Sequence, residues 1–352
     1  MCPPAFLVGF ADEMRCPTLC GCAVPLGDAP RPQRKLRFAG GERRKRRADL
    51  LARMPWRLQA AGRKRGKSEM KLDYHMHFEK GSYDEAWAEG FFEAAKRHGL
   101  DEIGISEHSH TFPEFEALYY HDLILDDSFI GTFQKKWLKS NKFKYTLDDY
   151  FRFMEKLRRR HPSVKTGIEV CNFEEQDKVR DILRDYPFDY IIGSVHFLRG
   201  WAYDSAEIKA EWDRHPLEEI YDWYAEEVEK LAASGLYDVL GHPFNIRLFR
   251  YLPDFDVTPY LERVARAMAK AHMAVDVNTG TYYRYPIEEI SPYPDFMRVA
   301  ARCDLPIITS SDAHKPEDCG AYNDEAVAYV RDFGYTHLLH FEQRKRTEVP
   351  LG

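Results

Sequence analysis

Histidine placement carries most of the chemical information in this sequence. Of fourteen histidines, seven fall at or just beyond the C-terminal ends of segments that read as strands: His75, His77, His108, His110, His196, His242 and His314. Carboxylates accompany them. Glu79 follows His77, Glu107 precedes His108, Glu169 closes its strand, and Asp312 lies two residues before His314. Mixed imidazole and carboxylate donors suit zinc, manganese or iron. Residues i and i+2 of an extended strand point to the same side, so His75 and His77 can serve one ion. Asp312 and His314 share that spacing. A lone histidine at a strand end is ordinarily a packed structural residue. Seven at the same end of successive strands exceed what packing explains, because the C-terminal face of a barrel is where active sites are built.

The elements that must position these residues follow a simple alternation. Strands are predicted over 71–77, 102–107, 164–170, 190–197, 239–241, 274–278 and 306–310. Helices are predicted over 84–98, 146–160, 174–186, 216–234, 258–272, 293–302 and 323–333. Short β-rich segments alternating with amphipathic stretches indicate parallel strands joined by helical crossovers. Thr146 ahead of Leu147, Asp148 and Asp149 reads as a helix start, and Gly99 as a stop. Seven such units of one composition favour a single barrel, although periodicity alone leaves an open doubly wound sheet available. Trp87, Phe91 and Trp223 sit at helical spacing and read as packing. Residues 111–144 form a long aromatic and charged stretch after a ligand-bearing strand, the expected place for a functional lid.

Taken in order, His75-x-His77, Glu107-His108, Gly167-Ile168-Glu169, Gly193-Ser194-Val195-His196, Gly241-His242-Pro243 and Ser311-Asp312-Ala313-His314 resemble the polymerase and histidinol phosphatase (PHP) family. The resemblance spans nearly all of residues 71–315. Asp189-Tyr-Ile-Ile-Gly-Ser-Val-His-Phe-Leu198 and Val277-Asn-Thr-Gly280 resemble its histidinol phosphatase branch. That resemblance implies an α/β fold, a distorted TIM-like (βα)7 barrel, with two or three divalent metal ions (Mn, Zn or Fe) at the C-terminal ends of the strands. By motif, His75, His77, Glu169 and Asp312 would hold a first ion. Glu169 would bridge to another held by His196 and His242, with His108 and His314 serving a second. Family members often add a histidine after the HxH pair in a Pro-His-Gly context. This chain has His77-Phe78-Glu79-Lys80-Gly81 there, which makes Glu79 the candidate replacement and adds negative charge in favour of manganese over zinc.

The activity so implied is hydrolysis of L-histidinol phosphate to L-histidinol and phosphate, a step of histidine biosynthesis, by attack of a metal-bridging hydroxide. Asp312, His110 and His314 are the candidate catalytic groups, and the proton for the leaving alkoxide could come from metal-bound water, His110 or His314. Arg247, Arg284 and Arg199 are candidates to bind the phosphate, since a guanidinium fork suits its oxygens. A PHP-type phosphoesterase acting on another small phosphorylated metabolite or nucleotide is the alternative. A non-catalytic nucleic-acid-associated module is a third reading, against which the intact ligand motifs argue.

Charge divides the chain. Residues 1–70 carry sixteen Lys/Arg against six Asp/Glu, while all 352 residues together have net charge −6. The basic run Arg43-Arg44-Lys45-Arg46-Arg47 could bind nucleic acid or serve targeting. Residues 1–69 are expected to be a basic extension, disordered or non-native, with a barrel domain over 70–352. The acidic remainder suits a small phosphorylated substrate better than a polyanion. No apolar run approaches the roughly 20 residues of a membrane span, and 44% hydrophobic content supports a sizeable core. Cys2, Cys16, Cys20 and Cys22 lie in the extension without a second pair to complete a zinc knuckle. Cys171, Cys303 and Cys319 are too scattered for a disulfide framework, so a cytoplasmic location is expected. No sequence feature specifies an oligomer.

Overall fold

The computed structural model describes residues 69–352 other than positions 82 and 141. The basic run and the four early cysteines lie outside the described residues, as does the proposed extension.

Seven parallel strands are hydrogen-bonded in chain order: β1 (Leu72–Asp73), β2 (Glu102–His108), β3 (Val164–Cys171), β4 (Tyr190–Ser194), β5 (Val239–Leu240), β6 (Ala274–Asn278) and β7 (Ile307–Ser310). The chain beyond β1 closes the sheet against β7. Tyr74 N donates to Thr309 O at 3.3 Å, and His77 N to Ala313 O at 2.8 Å. The expected distorted (βα)7 barrel is therefore present. Its distortion lies where strand 71–77 was predicted. Only Leu72 and Asp73 form a regular ladder, because the following residues bond alternately to both neighbours: Tyr74 and His77 to the β7 side, Met76 O to Ser106 N at 2.9 Å. The sequence alternates correctly, but the ladder is split between two partners.

Helices α1 (Glu85–His98), α2 (Glu116–Asp122), α3 (Phe129–Leu138), α4 (Leu147–Arg160), α5 (Gln176–Leu183), α6 (Leu217–Ser234), α7 (Thr258–Lys270), α8 (Gly280–Arg284), α9 (Pro294–Arg302) and α10 (Asn323–Arg331) complete the units. Local chemistry sets their ends. Asp84 accepts from Trp87 N and Gly99 stops α1 with φ 66°. Thr146 and Asp149 form a reciprocal capping box at α4. Half of the stretch 111–144, expected as a lid loop, is helical, in α2 and α3.

A hairpin of β8 (His337–Glu342) and β9 (Lys345–Pro350) follows the barrel and was not foreseen. It delivers Phe341 to a barrel interior filled by aromatics. Tyr74 stacks on Tyr190 at 5.3 Å, and Phe341 lies 6.2 and 5.8 Å from their rings. The Tyr190 ring needs glycine on two strands. A Cβ at Gly104 would lie 2.2 Å, and at Gly167 2.4 Å, from its atoms. The final residues pair with Met70, since Met70 N donates to Pro350 O and Gly352 N to Met70 O, both at 2.9 Å.

Candidate metal centre

Strand ends converge on Glu169, the penultimate-but-one residue of β3, which is buried with His75 and His77. Its two oxygens face different ring sets. Oε1 lies 3.3 Å from His75 Nε2, 3.0 Å from His242 Nε2 and 3.5 Å from His196 Nε2. Oε2 lies 2.5 Å from His108 Nδ1 and 3.9 Å from His77 Nε2. Beyond it, His77 Nε2 approaches Asp312 Oδ1 at 3.3 Å and His108 Nε2 approaches His314 Nε2 at 3.2 Å. Glu79 oxygens stand 3.7 Å from His314 and 3.9 Å from both His108 and His110. Ligand-capable atoms thus cluster as His75-His77-Asp312, His77-His108-His314, His75-Glu169-His242 and Glu79-His108-His110.

These atoms fit divalent cations better than they fit one another. His75 Nε2 and both ring nitrogens of His77 are buried without a hydrogen bond, although carboxylate oxygens lie close. Buried polar atoms are ordinarily paired. Convergent lone pairs that fail to hydrogen-bond mark coordination. Electrostatics agree. Burial would raise Glu169 and Asp312, but His75 and His108 beside the first, and Arg284 and His75 beside the second, hold both well below the usual carboxylate range. Burial, then a neighbouring imidazole, lowers His77 to about 4, and burial takes His196 to about 3 even against the pull of Glu169. Those rings are neutral, the form in which imidazole coordinates.

Supporting residues fix the ligands. Asp276 Oδ2 lies 2.9 Å from His75 Nδ1 and accepts from His242 N at 3.0 Å. Ser310 Oγ and Asn278 Nδ2 also donate to Asp276. Asn278 additionally reaches Asp312 at 3.3 Å. Ser194 Oγ donates to Glu169 at 2.7 Å, and Asn172 Oδ1 accepts from His196 N at 2.9 Å. Such partners set ring orientation and ligand basicity. Asp312 (φ 52°) and His242 (φ 28°) occupy left-handed backbone, a strain of about 1–3 kcal/mol each that the surrounding structure must offset.

All nine residues expected as ligands come together. The other expectations divide. Arg284 joins the cluster: Nη1 donates to Asp312 O at 2.8 Å and lies 2.5 Å from His314 Nδ1, while Nη2 pairs with the Asp312 carboxylate. Arg247 instead pairs with Glu289 at 3.0 Å and lies 3.9 Å over the Tyr293 ring. Arg199 turns to Glu226 at 2.5 Å on a half-exposed surface. Both loops open near the expected face, but a nearer carboxylate captures each guanidinium. Glu107, the carboxylate noted beside His108 but not among those nine, alternates with it on β2 and points away from the cluster, accepting from Phe78 N and, at 3.4 Å, from Thr111 Oγ1.

His110 reaches Glu79 and also Lys142, whose Nζ is 3.1 Å from its Nε2. Lys142 comes from the stretch 111–144 and was missed. Its neighbour Phe143 has φ 54° and donates its N–H to His110 O at 2.8 Å, which seats that segment on the rim. Asp204, also missed, places Oδ2 3.9 Å from His196 Nε2. Asp276 and Asn278 had a legible signal, since they alternate on β6 toward the interior; Lys142 and Asp204 sit in irregular chain and had none.

A closed parallel barrel whose C-terminal rim gathers imidazoles and carboxylates around one bridging glutamate defines a metal-binding enzyme scaffold. The chain belongs to the PHP domain family, whose model matches residues 73–280. A probable histidinol-phosphatase of Deinococcus radiodurans is 36% identical over 183 residues, 52% of this chain and 69% of that protein. The histidinol-phosphatase of Lactococcus lactis is 23% identical over 289 residues, covering 78% and 96% respectively. Among solved structures, the Lactococcus lactis histidinol phosphate phosphatase, complexed with zinc, L-histidinol and phosphate, superposes with a TM-score of 0.60 at 22% identity, covering 80% of this chain and all of that one. At that identity the likeness establishes the shared fold.

Proposed function

We propose that this chain is a metal-dependent phosphomonoesterase that hydrolyses L-histidinol phosphate to L-histidinol and phosphate. The observation that carries the reading is the set of convergent, unpaired ligand atoms around Glu169, in a chain whose named relatives are histidinol-phosphatases. His75, His77, Glu169 and Asp312 would hold one ion, His196 and His242 with Glu169 another, and His108 and His314 with Glu79 a second-site ion. Divalent ions held there supply charge neutralisation for the ester and acidify water near neutral pH. The remaining work falls to side chains. Arg284 holds Asp312 in place and is the cation nearest the cluster that can receive a phosphate oxygen. Asp276 keeps His75 oriented through Nδ1, leaving Nε2 for coordination. His110 stands at the rim where a proton for the leaving alkoxide would be delivered. Zinc or manganese is the metal to restore, given the mixed donors.

The test is phosphate release from L-histidinol phosphate and from a panel of nucleotide and sugar phosphates, after chelation and again after adding manganese or zinc, with Asp312→Ala as control. Selective, metal-dependent turnover lost in Asp312→Ala is expected. Turnover of other esters alone would discard the substrate, and metal binding without any turnover would discard the enzyme.

A further inference from the structure

Among the described residues, basic side chains reach the rim of the metal centre on one side only. On the Oε2 side of Glu169, Lys142 touches His110 and Arg284 touches His314 and Asp312. On the Oε1 side, beside His196, stands the carboxylate of Asp204. Among the described residues, no lysine or arginine nitrogen lies within ion-pair distance of it. Nor does Asp204 belong to any of the four clusters of convergent ligand atoms.

Its position is built with care. Tyr203, fully buried, donates its hydroxyl to Val195 O at 2.5 Å and receives Trp212 Nε1 on its carbonyl at 2.9 Å. Leu198 and Trp201 exchange backbone hydrogen bonds at 2.9 Å, and Ala202 N donates to Gln134 Oε1 on α3 at 2.7 Å. With its side chain only 24% exposed and no lysine or arginine beside it, the Asp204 carboxylate is costly to hold charged unless a positive group, an ion held by His196 and His242 or one on the substrate, stands near.

On the phosphatase reading above, we propose that Asp204 binds the ammonium group of an aminoalkyl phosphate substrate, with the phosphate toward Arg284 and Lys142 and the amine toward His196. A zwitterionic substrate can meet the basic side chains with its phosphate and Asp204 with its amine; a plain alkyl phosphate leaves Asp204 without a substrate partner. The arrangement makes Asp204 a specificity-determining residue, with the chemistry at the ester left to the other groups.

The experiment compares L-histidinol phosphate with its deaminated analogue, imidazolepropanol phosphate, in the full metal-loaded chain and in Asp204→Asn. Loss of a charge-assisted hydrogen bond should lower kcat/KM for the amine about 10- to 100-fold, mostly through KM, and leave the analogue within about twofold. Bound metal, measured by elemental analysis, should be unchanged. Equal losses on both substrates, or loss of metal from Asp204→Asn, would overturn the proposal by making Asp204 a ligand or a structural group. A variant-free measurement guards against misfolding: L-histidinol should inhibit the unmodified enzyme at least tenfold better than imidazolepropanol, and equal inhibition would also overturn it. If the unmodified enzyme hydrolyses neither histidinol compound, the substrate reading fails. The role of Asp204 is then decided by 2-aminoethyl phosphate against ethyl phosphate, where equal rates reject it.

Discussion

Glu169 reaches five imidazoles with two oxygens, so its orientation depends on residues that never meet substrate. Asp276 is the most exposed to test. It is buried, holds His75 Nδ1 at 2.9 Å and anchors the backbone of His242. Replacing it by alanine should cost about 10- to 100-fold in metal affinity and in kcat/KM. Metal titration and steady-state kinetics check this, and unchanged affinity would sink it. Glu107 offers a pH test. Burial, then the charge of Glu79, pushes its carboxyl up from 4.5 to about 8. The folded chain therefore keeps a proton that the unfolded chain releases, and stability falls as pH rises between those two values. Glu107→Gln lacks that slope. Its melting temperature should gain on that of the unaltered protein from pH 5 to 8 and level off above; parallel pH profiles would refute the account. At this scale the clustering of the nine candidate ligands was legible because a metal site demands particular residue types at fixed spacing. Arg199 and Arg247 misled because sequence does not reveal which carboxylate stands nearest a long side chain. Asp204 and Lys142 left no trace because irregular chain has no periodicity to read.

The barrel strands were legible where both faces are buried and the ladder is regular, as over Ala274–Asn278, which matches the predicted 274–278. They were illegible where tertiary bonding replaced local pattern. The turn between β8 and β9 shows why. Gln343 and Arg344 have φ of 49° and 63°, values usually supplied by Asn-Gly in two-residue hairpins. Here Asp189 compensates, accepting from Gln343 N with its side chain and from Arg344 N with its carbonyl, so no turn residues announce the hairpin. The packing of Tyr190 against two strands gives a prediction for β3. Gly167→Ala puts a methyl into the Tyr190 ring and should destabilise by about 1–3 kcal/mol through overpacking. Because Glu169 lies two residues along the same strand, kcat/KM should fall as well. Chemical denaturation and kinetics on the same sample test both effects, and a variant of unaltered stability would contradict the packing.

For the molecule as a whole, the candidate metal centre is predicted to be a keystone of stability as well. Glu169, Asp276 and Asp312 are buried together against the imidazoles of His75 and His77, and a ligand that binds only the folded state stabilises it by mass action. Chelation should lower the melting temperature, and zinc or manganese should restore it; a melting curve indifferent to chelator would show that the carboxylates are neutralised by the protein alone. No helix among the described residues is long and apolar enough to cross a membrane.

The pairing of the final residues with Met70 has a topological consequence. Met70 and Gly352 are hydrogen-bonded to each other, so the barrel's two ends lie side by side and a short linker can join them. The exposed turn at Pro162 and Ser163, between α4 and β3, is a natural place to open the ring. A circular permutant of residues 70–352 beginning at Ser163 and ending at Pro162 would keep every strand neighbour, and its activity would show that the site depends on closure of the barrel rather than on the order in which the chain visits it.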